Sequence, residues 1–252
     1  MKKAVLARIF LRSLFIHAAL NFRRMQNLGF VMAIIPLIRE WKLQSKDSEA
    51  MLTRHLQMYN SHPYFSAPLI GSIVRLEEEK KGVGDASDVL AIKNSLMGPY
   101  AAIGDTFFWG ALRPFAAIVA VVLAFKGFIV APLAFLLIYT PPHLFIRIKG
   151  FIEGYRRGKQ GMEFIRALNL PRATSLVRWL SLVIMAFFAA WLSYAEYSPF
   201  INTYGIVMAL AAIAIVMFFY FLIKKGLSQI YIIYGSVSLF FIIISFKELI
   251  NW

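Results

Sequence analysis

One segment of the chain combines an acidic side chain with aromatic residues and glycines, and it could bind a polyhydroxylated ligand. Within residues 96–114, Asp105 precedes an aromatic run that ends at Trp109. A carboxylate accepts charge-assisted hydrogen bonds from hydroxyl groups, and an aromatic ring offers a flat apolar face on which the C–H side of a sugar can stack. A purely structural interpretation is also open, in which Trp109 anchors an interface and Asp105 pairs with Arg113. Three glycines recur six residues apart in this segment and would permit close helix packing: Gly98, Gly104 and Gly110.

Two earlier segments, residues 21–30 and 54–78, show the same mixture of polar and small residues in apolar surroundings. Ionisable groups at membrane depth are functional candidates by default. The structural alternatives are hydrogen bonds between helices in the first segment, and a helix end followed by a solvated charged face in the second. Across the three segments the candidate substrate-binding residues are Gln26, Asn27, Asn60, His62, Glu78, Asp105 and Trp109. The accompanying structural motif comprises Gly98, Pro99, Gly104, Gly110, Arg113 and Pro114.

The sequence offers no recognisable set of residues for autonomous catalysis. It contains no cysteine, which excludes disulfides, thiolate metal sites and a thiol nucleophile. Its four histidines form no HxxxH or HExxH pattern, so we predict neither a metal site nor a cofactor. Paired acids and a nucleophile–base set are not evident either. The prediction is therefore a protein without catalytic residues of its own.

Composition places the chain in a membrane. Hydrophobic residues make up 60% of the sequence and charged residues only 16%, whereas soluble domains are about 45–50% apolar with roughly a quarter of their residues charged. We attribute the net charge of +14 to basic loops and to contact with anionic membrane lipid, not to nucleic acid. Sustained period-two alternation is missing, so strands are not expected. The predicted fold class is an all-α, polytopic helical membrane protein.

The composition also divides the chain into three parts. Residues 1–146 predict a membrane-associated core domain with amphipathic and re-entrant or broken helices. Residues 147–178 form a basic linker, which the positive-inside rule places in the cytoplasm. Residues 179–252 hold three apolar runs that predict transmembrane helices: 179–195, 205–223 and 228–246.

Local patterns in the core predict several elements. Residues 1–20 favour an amphipathic helix on the membrane surface, and residues 82–88 favour a loop. Residues 115–139 are interrupted at Lys126 and admit two interpretations: one tilted helix in which this lysine snorkels, or two half-helices that form a re-entrant hairpin. Asp47 is predicted to cap a helix whose inner face comprises Met51, Leu52, Leu56 and Tyr59.

Six strings, in order and with similar spacing, resemble the IID subunit of the mannose-family (mannose/fructose/sorbose) phosphotransferase permeases: NFRRMQNLGF, RHLQMYNSHPYFSAPLIG, LEEE, LMGPYAAIGDTFFWGALRP, FIRIKGFIEGYRRGKQGM and FLIKKGLSQIYIIYGSVSL. The resemblance implies a multi-pass protein of the bacterial cytoplasmic (inner) membrane, paired with a IIC subunit in a trimer of such pairs. It further implies soluble IIA and IIB phosphocarrier subunits. IIB would phosphorylate a hexose or amino sugar as it arrives inside, and IID would carry no phosphorylation site.

The chain departs from the family pattern in four places. The family usually has an acid at Arg23, glycine at Ala102 and proline at Thr106, and its outward region is longer than residues 196–204. These departures motivate an alternative function, a regulatory or docking subunit that keeps its partners but no longer transports. Both hypotheses expect a non-catalytic membrane subunit.

Overall fold

A computed structural model describes residues 1–81, 87–197, 214–215 and 217–250, which form two compact units, Met1–Phe188 and Ala189–Trp252. Residues 217–224 are helical, Asp105–Leu112 form a π-helical segment, and Gly158–Gln160 form a 3-10 turn. The described residues form isolated bridges but no β-strand, so the all-α prediction is confirmed. The named helices are α1 (Lys3–Ser13), α2 (Asn27–Trp41), α3 (Ser45–His55), α4 (Pro63–Glu79), α5 (Ser87–Gly104), α6 (Arg113–Phe125), α7 (Ala131–Arg157), α8 (Gly161–Ala167), α9 (Leu170–Tyr197) and α10 (Gln229–Ile250).

Two helical stretches, Ser87–Phe125 and Ala131–Leu192, are long and apolar enough to cross a membrane. Only 6% of the most apolar window of the second stretch is buried within the chain, so lipid or another protein must cover the remainder. Their length and composition fit the predicted helical membrane fold. The number of spans stays a prediction, because residues 205–213 of the second expected C-terminal span lie outside the described residues.

The apolar run 115–139 contains a chain reversal. Helix α6 ends at Phe125, the turn uses Gly127 in the left-handed region with φ of 78°, and α7 begins at Ala131 and packs against α6. A single tilted helix is therefore wrong. The hairpin of the second interpretation is present, but its helices are longer than predicted, because α6 continues the helical stretch that begins at Ser87 and α7 extends to Arg157. Re-entry of this hairpin into the membrane stays a prediction. The break was predicted correctly, but it joins two long helices.

Helix α4 forms the centre of the first unit. Residues 65–74 are all buried, and α4 packs most extensively against α7. The two backbones nearly touch: a Cβ atom on Gly71 would lie 2.4 Å from the carbonyl oxygen of Phe151, and one on Gly154 would lie 2.3 Å from that of Pro68. Such separations leave no space for a side chain, so glycine is required where the helices cross.

Gly71→Ala should destabilise the folded protein by about 1–3 kcal/mol, because the added methyl group forces apart two closely packed backbones. The matched control is Gly98→Ala inside α5, where a Cβ atom would meet nothing within 4 Å. That change should be neutral or stabilise by up to about 1 kcal/mol, since alanine favours helix over glycine. Thermal unfolding of the detergent-purified protein measures both effects. Equal melting temperatures for the two variants would show that the backbones of α4 and α7 do not approach each other closely at this crossing.

Some local predictions are wrong in detail. Asp47 lies in the first turn of α3 and not at its cap, and Leu56 and Tyr59 lie beyond the end of that helix. The charged end of α4 is not simply solvated, because Glu77 is fully buried there. Of the loop expected at 82–88, residues 82–86 lie outside the described part of the chain.

Candidate functional site

The loop between α3 and α4 is held in place by two amide side chains from the first predicted segment. Gln26 donates a hydrogen bond to the carbonyl of Ser61 (2.7 Å) and accepts one from its N–H (3.2 Å), and its side-chain nitrogen also lies 2.8 Å from Nε2 of His17. Asn27 donates to the carbonyl of Leu56 at 2.7 Å. Both amides are buried, so these bonds satisfy groups that would otherwise be costly to desolvate. Gln26 and Asn27 therefore position the loop.

His62 ends this loop and caps α4. Its Nδ1 accepts a hydrogen bond from the N–H of Tyr64 at 3.2 Å, which leaves the proton of the neutral imidazole on Nε2. The ring stacks on Phe108, with 5.4 Å between ring centroids, and lies 4.7 Å from the ring of Trp109. A Cβ atom on Gly104 would lie 2.3 Å from the imidazole, so only glycine fits there. The second and third predicted segments are thus brought together at His62.

Three residues of α7 that the sequence pattern had not singled out extend this contact. Tyr139, His143 and Arg147 are four residues apart and share one face of the helix. The hydroxyl of Tyr64 lies 3.0 Å from that of Tyr139, its ring stacks on His143 at 4.5 Å, and the Arg147 guanidinium carbon lies 4.6 Å from the ring centre. Their regular spacing in an otherwise apolar stretch is the signal that could have identified them. We define the Tyr64 cluster as His62, Tyr64, Phe108, Trp109, Tyr139, His143 and Arg147.

The Tyr64 cluster contains three buried nitrogen atoms that have no hydrogen-bond partner in the described part of the chain: His62 Nε2, His143 Nδ1 and Arg147 Nε. Arg147 also forms no ion pair with any described residue. Burial, and to a lesser extent the charge of Arg147, lower the pKa of His62 to about 3, so its ring is neutral. An unsatisfied buried polar group costs about 1–3 kcal/mol, which a polar ligand or partner group would relieve. No three acidic or histidine side chains of the described residues converge as metal ligands.

Asp105 and Trp109 lie on the π-helical segment beside the Tyr64 cluster. The Asp105 side chain is exposed, and no described residue hydrogen-bonds to its carboxylate. The alternative ion pair with Arg113 is not formed, and that arginine is itself exposed. Trp109 is 44% exposed although one side of its ring contacts His62. Because π-helical turns are rare and frequently occur at functional sites, this placement supports a binding role for the segment.

The two remaining candidate binding residues occupy different ends of α4. Asn60 is exposed, two residues before His62, and its backbone N–H points to Sδ of Met97 at 3.1 Å. Glu78 accepts hydrogen bonds from the amino terminus and from the hydroxyl of Tyr155. At a rise of 1.5 Å per residue, Glu78 lies about 22 Å along the helix from its first residue. The structure therefore keeps Asn60 near the Tyr64 cluster and places Glu78 away from it.

The other motif residues shape the helices around the cluster. Pro99 lies inside α5, and Pro114 lies in the first turn of α6, where the missing N–H is tolerated. The carbonyl of Gly110 accepts a hydrogen bond from Nε of Arg178 at 3.2 Å. A Cβ atom on Gly98 would meet no atom of the described residues within 4 Å, so the space beside this glycine is open within the chain.

Several known proteins are similar to this chain. The family model for the "PTS system mannose/fructose/sorbose family IID component" matches residues 1–249. The mannose-specific EIID component of Escherichia coli (strain K12) is 36% identical over 60% of this chain and 54% of its own length. The fructose permease IID component of Bacillus subtilis (strain 168) is 32% identical over 70% of this chain and 65% of its own length. The alignments thus span about half of the first relative and about two thirds of the second.

Two solved structures share the fold over almost the whole chain. One, described as a membrane protein, superposes with a TM-score of 0.69 at 24% identity and covers 94% of both chains. The other belongs to a complex of the mannose transporter ManYZ with microcin E492, has a TM-score of 0.60 at 24% identity, and covers 95% of this chain and 94% of its own. At this identity the likeness concerns the fold alone. Because the family model spans nearly the entire sequence, the chain belongs to the IID component family of the mannose/fructose/sorbose phosphotransferase systems.

Proposed function

We propose that this chain is the membrane IID subunit of a phosphotransferase-system sugar permease. Together with a IIC subunit it forms the translocation pathway for a hexose or amino sugar. IIB phosphorylates this sugar as it arrives inside, and IIA passes phosphate to IIB. The relatives described above are mannose-specific and fructose permease components, which supports a hexose substrate. In this proposal the chain positions the sugar and carries no phosphate itself.

We further propose a multi-pass location in the bacterial inner membrane, in a trimer of IIC–IID pairs. The three parts proposed from composition, 1–146, 147–178 and 179–252, then serve as core, cytoplasmic linker and transmembrane helices. Large apolar side chains on both long helical stretches are exposed in the isolated chain, for example Val121 and Leu137. Such surface requires lipid or a partner subunit. Unsatisfied polar groups of the Tyr64 cluster favour a protein partner over lipid alone, since lipid cannot hydrogen-bond to them.

The observation that carries the proposal is the exposed carboxylate of Asp105, unpaired among the described residues, on the same π-helical segment as the partly exposed indole of Trp109. This pair provides a hydrogen-bond acceptor for sugar hydroxyls and an apolar face for the ring. We propose that Asp105, Trp109, His62 and Asn60 line a sugar cavity shared with IIC. Gln26 and Asn27 would not contact the sugar; they would position the loop that carries Asn60. Glu78 would contribute only at the other end of α4.

The test is sugar uptake in cells that lack all permeases of this family. The chain is expressed with its IIA, IIB and IIC partners, and uptake and phosphorylation of radiolabelled mannose, fructose and glucosamine are measured. Uptake of at least one sugar should require this chain, which should be recovered from the inner-membrane fraction together with IIC. A control strain expresses the three partners without it.

Two outcomes would change the conclusion. If the chain assembles with IIC but no sugar is taken up, the alternative of a regulatory or docking subunit is favoured. If uptake proceeds equally well without the chain, or if the chain forms a stable monodisperse monomer that does not bind IIC, the transport proposal is wrong.

A further inference from the structure

Two adjoining cavities lie between α5 and the helices α8 and α9. The second cavity, of about 440 Å³, borders the first, because Ile103 and Pro171 line both. We call this pair of cavities the α5–α9 groove. The first cavity has a volume of about 470 Å³, and its lining includes Ala102, Thr106, Thr174, Ser175, Arg178 and Trp179.

The α5–α9 groove carries positive charge without an acidic counterpart. Arg178 lines the first cavity and Arg166 the second, no acidic side chain lines either, and neither arginine forms an ion pair within the described part of the chain. Nε of Arg178 donates to the carbonyl of Gly110 at 3.2 Å, which fixes the guanidinium against the wall. Its terminal nitrogens remain available for a second acceptor, and a phosphate group matches the planar guanidinium fork.

Most of the groove wall is apolar, and this favours a phospholipid over free phosphate as the bound anion. Ile103, Pro171 and Leu182 contribute to it, and Trp179 is 66% exposed. Free phosphate would gain nothing from apolar walls, whereas the acyl chain of a phospholipid makes van der Waals contacts with apolar side chains. Arginine and tryptophan side chains together are typical of the membrane–water interface. Both arginines belong to the basic stretch predicted to face the cytoplasm, where the leaflet is rich in anionic lipid.

We propose that the α5–α9 groove binds an anionic phospholipid, with its phosphate at Arg178 and an acyl chain along the apolar walls. This site lies on the side of the π-helical segment contacted by α9, and it uses none of the side chains of the Tyr64 cluster. The lipid supplies the negative charge that the described residues do not provide here. The bound lipid thereby bridges α5 and α9, which the cavities separate.

Native mass spectrometry of the delipidated membrane complex tests this proposal. Dioleoylphosphatidylglycerol, dioleoylphosphatidylcholine and inorganic phosphate are added separately, and apparent affinities are measured. We expect the anionic lipid to bind at least about tenfold more tightly than the zwitterionic one, and Arg178→Gln to weaken it by about tenfold, since one charge-assisted hydrogen bond is lost. Arg172→Gln is the matched control, because this exposed arginine is on the same helix but lines neither cavity.

Further variants keep the test decisive if Arg178→Gln fails to assemble. Arg178→Lys should retain selectivity for the anionic lipid, and Ala102→Leu should weaken both lipids by filling the first cavity without a change of charge. The proposal is overturned if Arg178→Gln and Arg172→Gln weaken binding equally, or if inorganic phosphate displaces the lipid at equal concentration. It is also overturned if a cysteine at Ser175 crosslinks to a partner helix in a complex that retains no lipid.

Discussion

Replacing Glu77 by glutamine should destabilise the folded chain by about 3–5 kcal/mol, because it removes the buried carboxylate from its ion pair with the largely buried guanidinium of Arg54. Glu77 is fully buried and accepts two hydrogen bonds from Arg54, at 3.0 and 2.9 Å. Its Oε1 also lies 2.8 Å from Nε2 of His55. Glutamine has nearly the same shape, so the loss reports on charge and not on packing.

A buried cation, Lys93, adjoins this ion pair through His55. The ammonium group of Lys93 is buried, donates to the carbonyl of His55 at 3.1 Å and lies 4.4 Å from the centre of the Phe30 ring. A cation–π contact and one carbonyl compensate only part of the cost of desolvating an ammonium group. Helices α3, α4 and α5 meet at this cluster, so all three should loosen together.

Thermal unfolding of the detergent-purified protein, with Glu79→Gln as control, measures this loss. Glu79 lies two residues further on, is half exposed and pairs only with Arg75 among the described residues, so its loss should change stability by less than about 0.5 kcal/mol. Burial by itself would raise the pKa of Glu77, but hydrogen bonds and charges from His55 and Arg54 hold that pKa below its usual value. The stabilisation is therefore complete above the unfolded-state pKa of about 4.3 and is lost as the pH falls through the lower folded-state pKa. Equal melting temperatures for wild type and Glu77→Gln near neutral pH would contradict the assignment.

Asp105→Asn should weaken sugar binding by roughly ten- to a hundredfold while leaving the assembled complex intact. A charged acceptor contributes about 1.5–3 kcal/mol per hydrogen bond, and 1.4 kcal/mol corresponds to a factor of ten. Because Asp105 is exposed and unpaired among the described residues, its charge contributes little to folding of the isolated chain. The structure thereby separates a binding defect from an assembly defect.

Sugar affinity of the purified IIC–IID complex, measured by equilibrium binding, checks this expectation. Asp88→Asn is the matched control. Asp88 is an exposed acid at the start of α5, distant in sequence from the π-helical segment, and it pairs with Lys159. It should leave affinity unchanged. Wild-type affinity in a correctly assembled Asp105→Asn complex would refute a role in binding. Reduced assembly that Arg113→Gln restores would instead support the ion pair that the isolated chain does not form.

Local patterns predicted the helical elements well and their ends less well. The expected break near Lys126 is present, because glycine readily adopts the left-handed conformation that the turn requires. Helix α3 ends before Tyr59 because that residue is held by the preceding segment: Gln26 donates its backbone N–H to the Tyr59 carbonyl at 2.8 Å. This contact joins residues that are distant in sequence, so a local sequence pattern cannot predict it. The same limit explains why α7 contributed no predicted site residues, since Tyr139 meets Tyr64 only in the folded chain.

The sequence by itself determined that this is an all-α membrane protein of the IID family and that three polar segments lie in apolar surroundings. Hydropathy, helix period and motif spacing are properties of neighbouring residues, so they can be read before folding. The tertiary structure alone decided which polar groups are desolvated. It buried Glu77, for which a solvated face was one interpretation, exposed Asp105, for which pairing with Arg113 was one interpretation, and joined His62 to Arg147 through Tyr64. Burial and pairing depend on contacts between distant helices, and here glycine at the α4–α7 crossing lets those helices come close enough to make them.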